Sequence, residues 1–247
     1  MKLNSKQKMV NFVAQYSIYV ITVVFMIICT FLTDKFLTAS NLVNILRQVT
    51  VYAVLAFGQA ILLISGNLDL CAGSTCCLTG ILALKTYLAT GSMAAAVAVG
   101  MLAGVVINTF SGFVIAQFNL PAFVATLGMQ MAVRGMCYIV TGGSMISQTG
   151  ENWKVLGQGF VFGSIPISVI VMLVAALLLW ILLDMTVVGR RFYALGGNRE
   201  AARACGINLK KYVILAYALS GLFIGLGGIL YTSRANCGIA SGAQGYE

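Results

Sequence analysis

The chain of 247 residues has no histidine, only six acidic residues and only two prolines. The missing histidine excludes Ser-His and Cys-His nucleophilic sites, the H-E-x-x-H zinc motif and histidine proton relays. The acids are sparse and scattered. The three aspartates, Asp34, Asp69 and Asp184, form no G-x-G-D pair, which excludes an aspartyl intramembrane protease as the lack of histidine excludes a serine one. No G-x-x-x-x-G-K-[ST] occurs, so the chain holds no ATP through a P-loop. None of its seven cysteines forms a C-x-x-C pair, and most lie in apolar runs, where they read as small hydrophobes of helix packing. Charge itself is scarce: 9% of residues are Asp, Glu, Lys or Arg, against about 25% in soluble domains.

What the chain has instead is apolar length. Hydrophobic residues make up 60% and mean hydropathy is +0.96, values that suit a bilayer, where charged side chains are costly. Counted in segments of about 20 residues, the apolar runs predict about seven spans, at 16–32, 42–64, 71–88, 93–117, 121–140, 165–184 and 212–231. The expected fold is a single all-α, polytopic transmembrane helix bundle over 1–247. The run 16–32 follows a basic segment with Lys2, Lys6 and Lys8, but it is too long for a signal-peptide core and no A-x-A site follows, so it reads as a first span. Ser40 or Asn41 is a candidate cap for the second span, and Pro121 and Pro166 suit helix starts. The small residues of 71–80 suit close helix approach or a broken, re-entrant helix. Gly100-x-x-x-Gly104 and Gly221-x-x-x-Gly225 permit tight crossings. The stretch 141–162, rich in Gly and Ser, reads as a nearly neutral external loop with Glu151, Trp153 and Lys154.

Between spans six and seven lies a polar island, 189–211, GRRFYALGGNREAARACGINLKK, with six basic residues and one acid. Net charge is +9. No soluble basic domain exists to carry nucleic-acid binding, and the cations cluster at the ends of apolar runs, as the positive-inside rule demands. With the N-terminus in the cytoplasm, six crossings return the chain to the cytoplasm at Gly189, where the basic residues stand. Within the island Asn198 can cap a helix and Glu200 lies in its positive first turn. Ala201, Cys205 and Leu209 follow an i, i+4, i+8 line, with Ala202 and Gly206 on a neighbouring small line. Arg199 and Arg203 are then free for acidic or backbone partners. A short helix of this kind fits a groove on another protein; a basic loop on anionic lipid is the competing reading.

The island also carries a resemblance. Glu200-Ala201-Ala202-x-x-x-Gly206 matches the EAA-x-x-x-G pattern of the coupling segment in permeases of bacterial ABC importers. Its flanks, Gly189-Arg190-Arg191, Ala194-Leu195-Gly196-Gly197-Asn198 and Ala201-Ala202-Arg203-x-Cys205-Gly206-Ile207, resemble the ribose/xylose/galactose branch. So do three further blocks: 66–74, where the family commonly reads G-x-I-D-L-S-V-G-S; 120–128; and Arg134-Gly135 followed by Thr141-Gly142-Gly143. Cys71 and Cys76-Cys77 stand where the family usually has Ser, Val or Ala. Members continue with further spans after a G-Y-E-L-like segment, so the resemblance implies a C-terminally incomplete permease. It also implies a site in the bacterial inner membrane, a monosaccharide delivered by an extracytoplasmic binding protein, a second permease copy, and an ABC ATP-binding subunit that holds ATP and magnesium. This chain would hold no cofactor and make no bond-forming chemistry. The ATPase-coupling residues carried over are Asn198, Arg199, Glu200, Ala201, Ala202, Arg203 and Gly206.

Inside the spans the polar candidates for a pathway or gate are Gln59, Asn67, Asp69, Ser74, Asn108, Gln130 and Arg134. For Asp69 the alternative is a cap satisfying backbone N–H groups at a helix break. Asn67 and Ser74 can add hydrogen bonds there. Arg134 is the clearest intramembrane charge, with snorkelling as its alternative. Gln59, Asn108 and Gln130 serve equally as packing hydrogen bonds. Competing functions are a branched-chain amino-acid ABC importer permease and a secondary transporter without an ATPase partner.

Overall fold

The computed structural model describes residues 16–147, 150–161, 163 and 165–246. The basic segment 1–15 and Glu247 lie outside them. Helices dominate, as they must where no water is present to satisfy backbone N–H and C=O groups. In chain order they are α1 (Ser17–Leu32), α2 (Ala39–Ile64), α3 (Ala72–Thr90), α4 (Met93–Phe118), α5 (Ala122–Thr141), α6 (Lys154–Gln158), α7 (Ile167–Trp180), α8 (Val187–Gly197), α9 (Arg199–Ala204) and α10 (Leu209–Ala235). A short antiparallel ribbon, β1 (Phe160–Val161) and β2 (Ile165–Pro166), precedes α7.

The architecture is all-α and polytopic. Among the described residues, α2, α4, α5, α7 with its continuation to Met185, and α10 are long and apolar enough to cross a membrane. Helix α1, at 16 residues, is shorter. Helix α3 is diluted by Gly, Ser, Thr and Lys85.

The chain divides into two compact units, 1–46 and 47–247. In the first, α1 buries none of its residues. The cap expected at Ser40 or Asn41 is instead Thr38, whose hydroxyl accepts the Asn41 N–H at 3.4 Å. The Asn41 side chain turns back to donate to the Phe36 carbonyl at 2.8 Å. This earlier cap leaves the Asn41 amide to close the preceding turn.

In the second unit α10 packs along α4 and α3. The two small-residue motifs meet each other. A Cβ on Gly104 would stand 2.3 Å from the Gly221 carbonyl oxygen, and one on Gly225 would stand 2.8 Å from that of Gly100. Gly80 and Gly228 make a similar approach between α3 and α10, at 2.4 Å. Lipid tails are as apolar as leucine, so such close van der Waals contact is what holds membrane helices together.

The described residues of the stretch 141–162 hold short elements of their own. A 3₁₀ turn, Glu151–Trp153, runs into α6. Trp153 is fully buried, its ring 5.4 Å from that of Tyr87. Ser233 of α10 donates to the Trp153 carbonyl at 2.5 Å and accepts the Gly157 N–H at 2.8 Å.

Candidate functional site

The polar island begins on a tight junction. After α7 the backbone widens into a single π-helical turn, Ile181–Met185, and Thr186 caps α8 by accepting the Gly189 N–H at 3.1 Å. Gly189 leaves no room for a side chain, since a Cβ there would lie 2.2 Å from the Leu183 carbonyl oxygen. Phe192 and Leu195, three apart on one face of α8, are buried with Ile61, Leu62, Ile115 and Tyr212. Arg191 stacks over the Tyr212 ring at 5.1 Å and donates to its hydroxyl. Gly196 then lies against the end of α2, where a Cβ would come within 1.9 Å of the Ile64 carbonyl oxygen.

Helix α9 is capped at both ends. Asn198 Oδ1 accepts the Ala201 N–H at 3.0 Å. At the far end the Ile207 N–H reaches the Ala202 carbonyl and the Gly206 N–H reaches that of Arg203, a closure that requires the left-handed backbone of Gly206 (φ +78°). The helix therefore stops at Ala204, and the i, i+4, i+8 line through Ala201, Cys205 and Leu209 is not carried on one helix: Leu209 opens α10. Ala202 faces inward, while Ala201, Cys205 and Gly206 are exposed. Glu200 and Arg203 flank them 4.0 Å apart, both well solvated, and such a pair contributes little to stability. Arg199 is not free: its guanidinium donates to Gly66 O and Asn67 Oδ1, both at 3.1 Å. Arg199, Glu200, Arg203 and Lys210 line a cleft of about 210 Å³.

Segment 65–71 joins this surface to the interior. Helix α2 ends with the Asn67 N–H on the Leu62 carbonyl and the Gly66 N–H on that of Leu63, Gly66 lying in the left-handed region (φ +72°). Asn67 is buried and donates to Ser65 O and Ser65 Oγ, both at 3.1 Å. Asp69 is 1% exposed. Its Oδ1 accepts the Cys71 N–H at 2.8 Å, and its Oδ2 accepts Asn108 Nδ2 at 3.3 Å.

The segment's backbone is tied down as well. Gln59 Nε2 donates to Asp69 O at 2.7 Å, the Tyr217 hydroxyl to Leu68 O at 2.8 Å, and the Leu70 N–H to Thr126 Oγ1 at 3.2 Å. Five helices, α2, α4, α5, α9 and α10, thus converge on seven residues. The side-chain oxygens of Gln59 and Asn108, and Ser74 Oγ, are buried with no hydrogen-bond partner among the described residues.

Gln59 and Asn108 therefore both bond Asp69, while Asn67, two residues earlier on the same segment, bonds Ser65 and Arg199. Tyr217 and Thr126 also bond this segment, which no pattern in the sequence signalled, since each is a lone polar residue in an apolar run. Arg134 goes elsewhere. Half-buried on α5, it donates to Ala240 O at 2.9 Å and Gly242 O at 2.7 Å, pinning the segment that follows α10. Gln130 lies one turn before it, also half-buried. Among the described residues no group of three or more His, Cys, Asp or Glu is arranged to hold a metal ion.

Residues 41–244 match a family model described as branched-chain amino acid transport system / permease component. The ribose import permease protein RbsC of Escherichia coli (strain K12) is 35% identical over 94% of this chain and 73% of its own length. Its counterpart in Bacillus subtilis (strain 168) is 32% identical over 91% and 70%. The galactose/methyl galactoside import permease protein MglC of Escherichia coli (strain K12) is 33% identical over 93% and 74%. No solved structure matches the chain. With a family model across residues 41–244 and these identities over more than nine-tenths of its length, the chain belongs to the family of membrane permease components that includes the ribose and galactose import permeases.

Proposed function

We propose that the chain is the membrane-spanning subunit of a bacterial ABC importer and carries a monosaccharide, a ribose-like pentose or a hexose. The observation that carries this reading is its 30–35% identity to ribose and galactose import permeases over nearly all of its length. That likeness disfavours the branched-chain amino-acid and secondary-transporter alternatives. The subunit makes no bond-forming chemistry; ATP hydrolysis belongs to a partner chain. An extracytoplasmic binding protein delivers the sugar, and a second permease copy completes the passage. On this reading α9 is the coupling helix between spans six and seven, with its outward residues Glu200, Ala201, Arg203, Cys205 and Gly206 meeting the ATP-binding subunit. What supports it is an exposed face of small residues, Ala201, Cys205 and Gly206, between the charges of Glu200 and Arg203.

The test is a mild-detergent pull-down of the full-length gene product from native membranes. A P-loop ATPase is expected in the eluate and is expected to vanish when Glu200 and Gly206 are both replaced by bulky residues. Uptake of labelled ribose, galactose and leucine then separates the sugar reading from the amino-acid one. A preparation free of ATPase, from a host that expresses one, overturns the ABC assignment.

The same reading puts the N-terminus and the island in the cytoplasm. Cys205 is exposed. In a chain expressed without partners, a membrane-impermeant maleimide is expected to label it in inside-out vesicles and to leave it untouched in intact cells. Labelling in intact cells would reverse the topology.

A further inference from the structure

Arg199 sits on the most exposed helix of the island, yet its guanidinium turns inward. Its two acceptors, Gly66 O and Asn67 Oδ1, open the segment that ends on buried Asp69. Asn67 is fixed for this task. Its amide nitrogen is engaged by Ser65, which fixes the oxygen facing Arg199. Three residues before the start of α9, Gly196 meets the Ile64 carbonyl with no space for even a methyl group. Contact of that kind transmits a push, because close-packed backbones cannot be compressed. It does not transmit a pull. A charge-assisted hydrogen bond does.

We propose that Arg199 and Asn67 form a latch that makes segment 65–71 follow α9 in both directions, so that movement of the island reaches the Asp69–Asn108 contact inside the helices. This rests on the reading of α9 as the helix that meets an ATP-binding subunit. The two other inward ties of the island serve different ends: Lys210 holds Gln117 at the close of α4, and Arg191 holds Tyr212 at the start of α10. Neither continues into 65–71. Arg199 is accordingly a positioning residue; its function is to keep two moving parts in register.

The experiment reconstitutes the full-length gene product with its ATP-binding subunit and binding protein in proteoliposomes. It records co-purified ATPase, ATP hydrolysis and sugar uptake. Arg199→Ala and Asn67→Ala are each expected to retain the ATP-binding subunit and to lower uptake per ATP hydrolysed by about tenfold, the scale of one charge-assisted hydrogen bond. The double variant is expected to be no worse than either single one. Asn67→Asp keeps an oxygen facing Arg199 and is expected to retain coupling, which separates loss of the latch from loss of folding. Arg203→Ala, on the same helix but solvated, is expected to weaken ATPase retention instead.

Wild-type uptake per ATP in Arg199→Ala overturns the latch, as do additive losses in the double variant. Loss of the ATPase in Arg199→Ala would place that residue in the docking surface instead. A wild-type protein that retains no ATP-binding subunit overturns the underlying reading and the latch together, and is recognised before any variant is made.

Discussion

Replacing Gly104 with leucine is expected to abolish the folded protein. A Cβ at this position meets the Gly221 carbonyl oxygen at 2.3 Å and Gly225 Cα at 3.0 Å. All the opposing atoms are backbone, so no rotamer change relieves the clash. Helix α10 would have to withdraw along its crossing with α4, and dispersion contact falls off steeply with a gap of even half an ångström. Alanine alone is expected to cost about 1–3 kcal/mol, the range for overpacking, and leucine more. Gly128 and Gly135 of α5 provide the control. A Cβ on either meets nothing within 4 Å, so Gly128→Ala is expected to be neutral or to stabilise by up to about 1 kcal/mol through helix propensity. Thermal midpoints in detergent, read by size-exclusion recovery, check both. Equal shifts for Gly104→Ala and Gly128→Ala would mean that the α4–α10 crossing is not where the tight packing lies.

Asp69→Leu is expected to have the second-largest effect. The leucine fills the space but leaves the Cys71 N–H and the Asn108 amide without their acceptors in a buried site. Each orphaned group costs about 1–3 kcal/mol, for a combined loss of about 2–6 kcal/mol. Asp69→Asn is milder. It keeps an oxygen for Cys71 and loses the acceptor for Asn108.

Thermal midpoints in detergent are expected to order the two, with Asp69→Leu the lower; a leucine variant as stable as wild type would show that these two hydrogen bonds contribute little to holding 65–71.

Much of the fold could be read from local chemistry. Apolar runs near 17–32, 93–118 and 122–141 become helices with nearly the expected bounds, because run length and polarity are set residue by residue. Gly142 and Gly143 close α5 through their N–H groups on Ile139 and Tyr138, and Gly206 closes α9; a glycine after a helix carries that message in itself. The Asn198 cap was equally legible. Helix ends inside polar stretches were not. Helix α10 begins at Leu209, inside the island, and α2 begins at Ala39 under a threonine cap, since several neighbouring polar residues can cap and packing chooses among them.

The candidate site divides along the same line. The sequence by itself determined a helical membrane protein, the polar island, the two small-residue motifs and the polar residues available to a pathway, because each depends on composition or on spacing along one helix. Only the tertiary structure decided that Gly100 and Gly104 meet Gly225 and Gly221, that Asp69 is held by Cys71 and Asn108, that Arg134 turns to the carbonyls of Ala240 and Gly242, and that Arg199 reaches Asn67 across 132 positions of sequence. Spacing within a helix says which residues share a face. It says nothing of which other face they meet, because that choice is made by close contact and by hydrogen bonds between segments far apart in the chain.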